Sequence, residues 1–185
     1  MRKLIYAINL SLDGCCDHTK AIPFEDLHEY HTNLLRDADV LLYGRKTYQL
    51  MVPFWPDVAR NPVPEKSMND FARAFIAVNK IVVFSKSLEK AEGNKTKIIR
   101  GHLQDEILKL KQEDGKSILV GGVDLPSQLM QLGLIDEYRF IVQPTVVGEG
   151  RRLFDNVSLQ NILQLKLEET KVLQSGCVCL RYLKN

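Results

Sequence analysis

Hydrophobic and polar positions change period repeatedly along this chain. Residues 3–10, KLIYAINL, alternate weakly and carry Ile and Tyr, which predicts a strand. Pro23 opens PFEDLHEYHTNLLRDA, where Phe24, Leu27, Tyr30, His31, Leu34 and Leu35 recur at helical spacing. DVLLY (39–43), KIVVFS (80–85), KII (97–99) and SILVGG (117–122) are short continuous apolar runs, the pattern of strands covered on both faces. Helical patterns lie between them at 67–77, at 102–115 ending in Gly115, and at 124–133 with Asp124 as N-cap and Pro126 in the first turn. VPFWPDVARNPVPEK holds four of the seven prolines and predicts a long irregular loop. DEYRFIVQPTVV (136–147) predicts a long strand, and the C-terminal stretch predicts an antiparallel hairpin turning at Ser175-Gly176. Helix–strand alternation closed by a hairpin predicts an α/β fold with a mixed, mostly parallel sheet and helices on both faces.

Length and composition narrow this little further. At 185 residues, 45% hydrophobic and 26% charged, residues 1–185 are read as a single domain. Such a chain buries roughly 70% of its unfolded surface and needs no metal or disulfide to fold. A net charge of +2 argues for neither nucleic acid nor an anionic membrane as a partner. No apolar run approaches ~18 residues. The N-terminal MRKLIYAINLSLDG is interrupted by Asn9, Ser11 and Asp13, so it reads as a first strand rather than a signal peptide. Cys15, Cys16, Cys177 and Cys179 lack the zinc-type C-x₂-C spacing, so reduced thiols in a cytoplasmic protein are the expectation and no metal site is assigned.

In an open parallel sheet, ligands sit beyond the carboxyl ends of the strands. Here the buried runs end in Gly44-Arg45-Lys46-Thr47, in Ser85-Lys86-Ser87 and in Gly121-Gly122. Glycine at a helix start leaves backbone N–H groups open to a phosphate, and the other loop adds a hydroxyl and an ammonium. The blander reading is a tight strand–helix turn with solvated cations. Two familiar nucleotide motifs are absent. GRKT has Asp39 where a P-loop needs glycine, and Gly148-Glu149-Gly150 lacks the third glycine of a dinucleotide fingerprint.

SLDG (11–14), LLYGRKTYQ (41–49), VVFSK (82–86), ILVGG (118–122) and LIDEYRFIVQPTVVGEGRRLF (134–154), in that order, resemble the dihydrofolate reductase fold. More specifically, they resemble the branch containing the reductase domain of the bifunctional riboflavin-biosynthesis enzyme, the RibD C-terminal family. The resemblance spans nearly the whole chain, and GRKTY and PTVVGEGRRLF are its specific parts. It implies an NADPH-dependent reductase that transfers hydride to a C=N or C=O bond of a small pterin- or pyrimidine-like compound. It further implies that Gly44, Arg45, Lys46 and Thr47 hold phosphates and that Ser85 and Lys86 lie near the adenosine 2′-phosphate. Arg45 could reach that same group, and a guanidinium suits a phosphate better than a ribose hydroxyl. Gly121, Gly122 and Val123 would lie under the pyrophosphate, with the Gly121–Gly122 peptide bond expected to be cis.

Hydride transfer to an imine needs a proton nearby. On a helical wheel of residues 24–36 the apolar stripe centres on Leu27 and Leu34, with Glu25, Glu29, Thr32 and Arg36 opposite. Asp26 lies at the stripe's border, where the reductases carry their substrate carboxylate, and is the catalytic candidate; the alternative is an acid favoured by the helix dipole. His31 faces the stripe and His28 its margin, a packing pattern more than a ligand pair. Asn9 and Asp13 are expected to border the nicotinamide or substrate. Trp55 is expected either to stack on a flat ring or to plug the proline-rich loop. The loop after SLDG lacks the Met-Pro-Trp-like segment of dihydrofolate reductases. Arg60 and Arg73 are undistinguished candidates for a folate-tail grip, so folate is disfavoured as substrate. No deaminase zinc motif accompanies the domain. A non-catalytic nucleotide-binding domain, acting as a sensor or assembly module, is the competing expectation. The strand over 136–147 and the hairpin suggest a homodimer.

Overall fold

Successive residues of a strand point to opposite faces of its sheet, so a strand apolar at nearly every position must be covered twice. That is the arrangement of β2 (Ala38–Gly44) in a computed structural model of the chain, which describes residues 1–155 and 157–185. Val40 and Leu42 enter one core with α4 (Leu103–Gln112) and α5 (Asp124–Gln131). Leu41 and Tyr43 enter another with α2 (Arg45–Arg60) and α3 (Lys66–Ala77). The remaining elements are β1 (Leu4–Leu10), α1 (Glu25–Arg36), β3 (Lys80–Phe84), β4 (Thr96–Ile99), β5 (Ser117–Val120), β6 (Glu137–Val142), β7 (Leu165–Val172) and β8 (Val178–Lys184). They form one eight-stranded sheet in the order β4-β3-β2-β5-β1-β6-β8-β7. It is parallel from β4 to β6 and antiparallel through β8 and β7, as the sequence pattern predicts.

The proline-rich loop is corrected. Residues 45–60 form a single helix with Pro53 and Pro56 inside it. Each internal proline removes a backbone hydrogen bond and costs about 3 kcal/mol. Tyr48, Val52, Trp55 and Val58 recur at helical spacing and are buried against α3, and their burial offsets that cost. Pro53 and Gln49 are both exposed, so the Gln49 carbonyl that loses its helical partner lies on the solvent side.

Smaller corrections have equally local causes. β6 stops at Val142 because Pro144 follows and has no N–H to pair. The residue capping α5 is Val123, which puts Asp124 in the first helical position. Thr32, on the expected polar side of α1, is buried and donates its hydroxyl to the His28 carbonyl at 2.7 Å.

The topology strings the carboxyl ends of β3, β2, β5, β1 and β6 side by side. From β3 to β1 is three strand spacings, roughly 14 Å. The β8–β7 turn joins the same edge, because β8 begins opposite the end of β6 at Val142–Val178.

Candidate active site

Gly44 ends β2 and caps α2 with no side-chain hydrogen bond, and Val123 caps α5 in the same way. Both helices therefore begin with backbone N–H groups open to an outside acceptor, each at the positive end of a helix dipole. The two starts touch. Gly122 has φ +90°, and a Cβ built there would run into Thr47 Oγ1. A Cβ on Gly44 would lie 3.8 Å from Leu125 Cβ. The Gly121 N–H donates to the Leu42 carbonyl at 3.2 Å, holding the β5–α5 turn against β2.

Gly44 is registered beside Phe84, so the segment beginning at Ser85 and the start of α2 leave the sheet from neighbouring strand ends. Arg45, Lys46 and Lys86 are exposed. The Ser85 hydroxyl oxygen accepts from the Leu88 N–H at 2.9 Å and the Ser87 N–H at 3.2 Å, which leaves its own proton to give. The starts of α2 and α5 thus meet at Thr47 and Gly122, and Ser85 follows the strand end registered beside Gly44. The expected cis bond is corrected: the described peptide bonds are all trans, and the turn is made by the positive φ of Gly122.

Beyond β5 the edge continues into β1. The Tyr6 hydroxyl donates to the Gly122 carbonyl at 3.0 Å, and burial raises its pKa, so it stays a donor. Asn9 Oδ1 meets His31 Nε2 at 2.8 Å. Burial pushes His31 down to about 4, so the neutral ring donates and leaves the amide nitrogen of Asn9 as that residue's available donor.

Asp13 binds protein groups on every side. Its carboxylate accepts from the Ser11 hydroxyl at 2.6 Å, the Gly148 N–H at 2.9 Å and the Val147 N–H at 3.1 Å, and lies 3.6 Å from Arg152. These bonds, the Ser11 hydroxyl foremost, hold its pKa well below the usual carboxylate range. The Leu12 N–H donates to the Thr145 carbonyl at 2.8 Å, Leu153 to Gly14 at 3.0 Å and Cys16 to Arg151 at 2.8 Å. Residues 11–16 and 145–153 are therefore laced into one cover over the edge. Leu12 and Val146, at its rim, are 65% and 72% exposed.

The remaining candidates lie outside the Gly44–Gly122 cradle. Asp26 Oδ2 accepts from the Ser175 N–H at 2.7 Å, at the β7–β8 turn; its Oδ1 is buried without a hydrogen-bond partner. Trp55 is 8% exposed, with its ring 4.3 Å from that of Phe71 and His28 edge-on to both. Of its two expected roles, hydrophobic packing is the one its surroundings provide. Arg60 and Arg73 make ion pairs on the surfaces of their own helices, with Asp57 and Asp70. Among the described residues no His, Cys, Asp or Glu cluster is arranged to hold a metal ion.

Sequence reasoning missed Tyr6, Arg151 and Arg152. Both arginines lie in the GEGRRLF run already noted as distinctive, yet nothing local says what they face. A cavity of about 330 Å³ opens beside the Gly122 turn, between α5 and residues 151–155. Arg151 pairs across its mouth with Asp124.

Comparison with known proteins agrees with this architecture. A family model, the RibD C-terminal domain, matches residues 2–179. The uncharacterized protein YyaP of Bacillus subtilis (strain 168) is 33% identical over 152 residues, covering 82% of this chain and 77% of YyaP. A pyrimidine reductase-like protein from Corynebacterium diphtheriae superposes with a TM-score of 0.70 at 15% identity, over 100% of this chain and 92% of that one. The diaminohydroxyphosphoribosylaminopyrimidine deaminase/5-amino-6-(5-phosphoribosylamino)uracil reductase of Thermotoga maritima gives 0.68 at 16% identity, with this chain spanning 57% of its length.

Proposed function

Because this chain belongs to the RibD C-terminal domain family, we propose that it is an NADPH-dependent reductase of a small pterin- or pyrimidine-like compound. One observation carries the reading: two helix starts without side-chain caps, α2 and α5, meet through Gly122 and Thr47 at the carboxyl edge of a parallel sheet. The residues present fit a dinucleotide. Backbone N–H groups at the start of α2, 44–47, and at 122–124 receive the pyrophosphate, with Gly121 holding the turn against β2. Arg45, with Ser85 and Lys86 one strand over, receives the 2′-phosphate that distinguishes NADPH from NADH.

The cofactor supplies hydride when bound, and the chain's own residues bind and orient. Asn9, held by His31, offers an amide to the ring at the end of β1. Asp13 keeps the 145–153 cover closed on the 11–16 loop, which excludes water. Asp26, with an oxygen that no described residue engages, is the proposed proton donor to the substrate. The work is done in the cytoplasm, where the four unbonded cysteines stay reduced. The chain works as a homodimer through the hairpin, whose outer strand β7 is an exposed edge carrying Leu167 and Val172 at 51% and 68% exposure.

A second reading, nucleotide binding without turnover, draws on the engagement of Asp26 by the hairpin turn and the burial of Trp55. NADPH titration followed by its oxidation against a panel of pterins and pyrimidines separates the two. Oxidation with any member supports the reductase, and binding with none oxidised supports the second reading. Absence of binding removes both.

A further inference from the structure

We infer that Arg151 is a phosphate-binding residue held in reserve by Asp124, so that this ion pair sets how tightly the cradle takes its nucleotide. The inference rests on the reading that the cradle holds dinucleotide phosphates. Asp124 is the first residue of α5, directly after the Gly121-Gly122-Val123 turn. An anion there opposes a phosphate at the same helix start, where the peptide dipoles otherwise favour it.

Two cations act on that carboxylate: Arg151, paired with it directly, and Lys46 from the first turn of α2. Arg151 is anchored by its backbone, whose carbonyl accepts from the Cys16 N–H at 2.8 Å and the Cys16 thiol at 3.3 Å. Its charge also acts on Tyr6, whose hydroxyl holds the Gly122 carbonyl at 3.0 Å. Paired with the first residue of α5, and lining one cavity with Val123 and Asp124, the guanidinium sits beside the turn that would carry the pyrophosphate.

Stability does not explain the pair. The side chains of Arg151 and Asp124 are 40% and 64% exposed, and exposed pairs contribute little to folding. A guanidinium exchanging Asp124 for a phosphate keeps a charge-assisted hydrogen bond throughout, so the exchange costs little in desolvation. Asp124 thereby competes with the ligand for Arg151 and weakens its binding.

The test is the dissociation constant of NADPH and of inorganic pyrophosphate for the full chain, its D124N and R151Q variants and the double variant. R151Q should weaken both ligands about tenfold or more, the size of one hydrogen bond to a charged group. D124N should tighten both several-fold, and this gain should vanish in the double variant. If the pair only ties the cover to α5, D124N weakens binding or leaves it unchanged, and the inference is overturned while the cradle stands. If pyrophosphate binds and NADPH does not, the dinucleotide reading falls and the pyrophosphate series decides the role of Arg151. If neither ligand binds the unaltered chain, both fall.

Discussion

Substituting alanine for Gly122 tests the geometry on which the cradle depends. At φ +90° an L-residue sits where backbone strain costs on the order of 1–3 kcal/mol. The new Cβ also overlaps Thr47 Oγ1, with Thr47 Cβ at 3.5 Å and Cγ2 at 3.8 Å. Only the hydroxyl is too close, so displacing it adds about 1 kcal/mol. G122A should therefore lose roughly 2–4 kcal/mol and stay folded, since domains of this size hold about 5–15 kcal/mol. T47A alone should change stability little. In the double variant the overlap is gone and the strain remains, so about 1 kcal/mol returns. Urea unfolding followed by tryptophan fluorescence reads this directly, because the one tryptophan, Trp55, is buried in the α2–α3 core. NADPH should fail to bind G122A or the double variant, because in both a methyl group stands between the two helix starts. A G122A protein within about 0.5 kcal/mol of the parent, or a double variant no more stable than G122A, would refute the claim that the β5–α5 turn closes on α2.

Trp55→Ala should cost about 3–5 kcal/mol in urea unfolding, the usual loss for a buried aromatic. It should leave the NADPH dissociation constant unchanged under folding conditions; a raised KM with little lost stability would point to ring stacking instead. His31 titrates near 4 when folded against an ordinary 6.5, so the unfolded chain binds more protons between those values. Stability should be full above pH 6.5, fall as pH drops towards 4 and level off below, by at most about 3 kcal/mol from this group. His28, also lowered by burial, acts in the same direction. A pH series of unfolding midpoints for the parent and His31→Gln checks this, and identical slopes in the two would rule it out.

How much was legible in the sequence depended on whether a signal was local. DVLLY and SILVGG are apolar at nearly every position, and such runs demand cover on both faces wherever they sit; a mostly parallel sheet flanked by helices follows. Glycines and cations at strand ends are local signals too, and the strand order brings two of those ends together at Gly122 and Thr47. The helix through Pro53 and Pro56 could not be read, since proline argues locally for a loop and only the packing of Trp55 on Phe71 reverses that. Nor could the partners of the acids. Asp26 meets Ser175, Asp13 meets Gly148, and Asp124 meets Arg151 across wide stretches of chain. Those meetings exist because β6 runs beside β1 and the hairpin turns back over α1. Residue type determined which groups could carry charge or donate a hydrogen bond, and strand order alone decided which of them face one another.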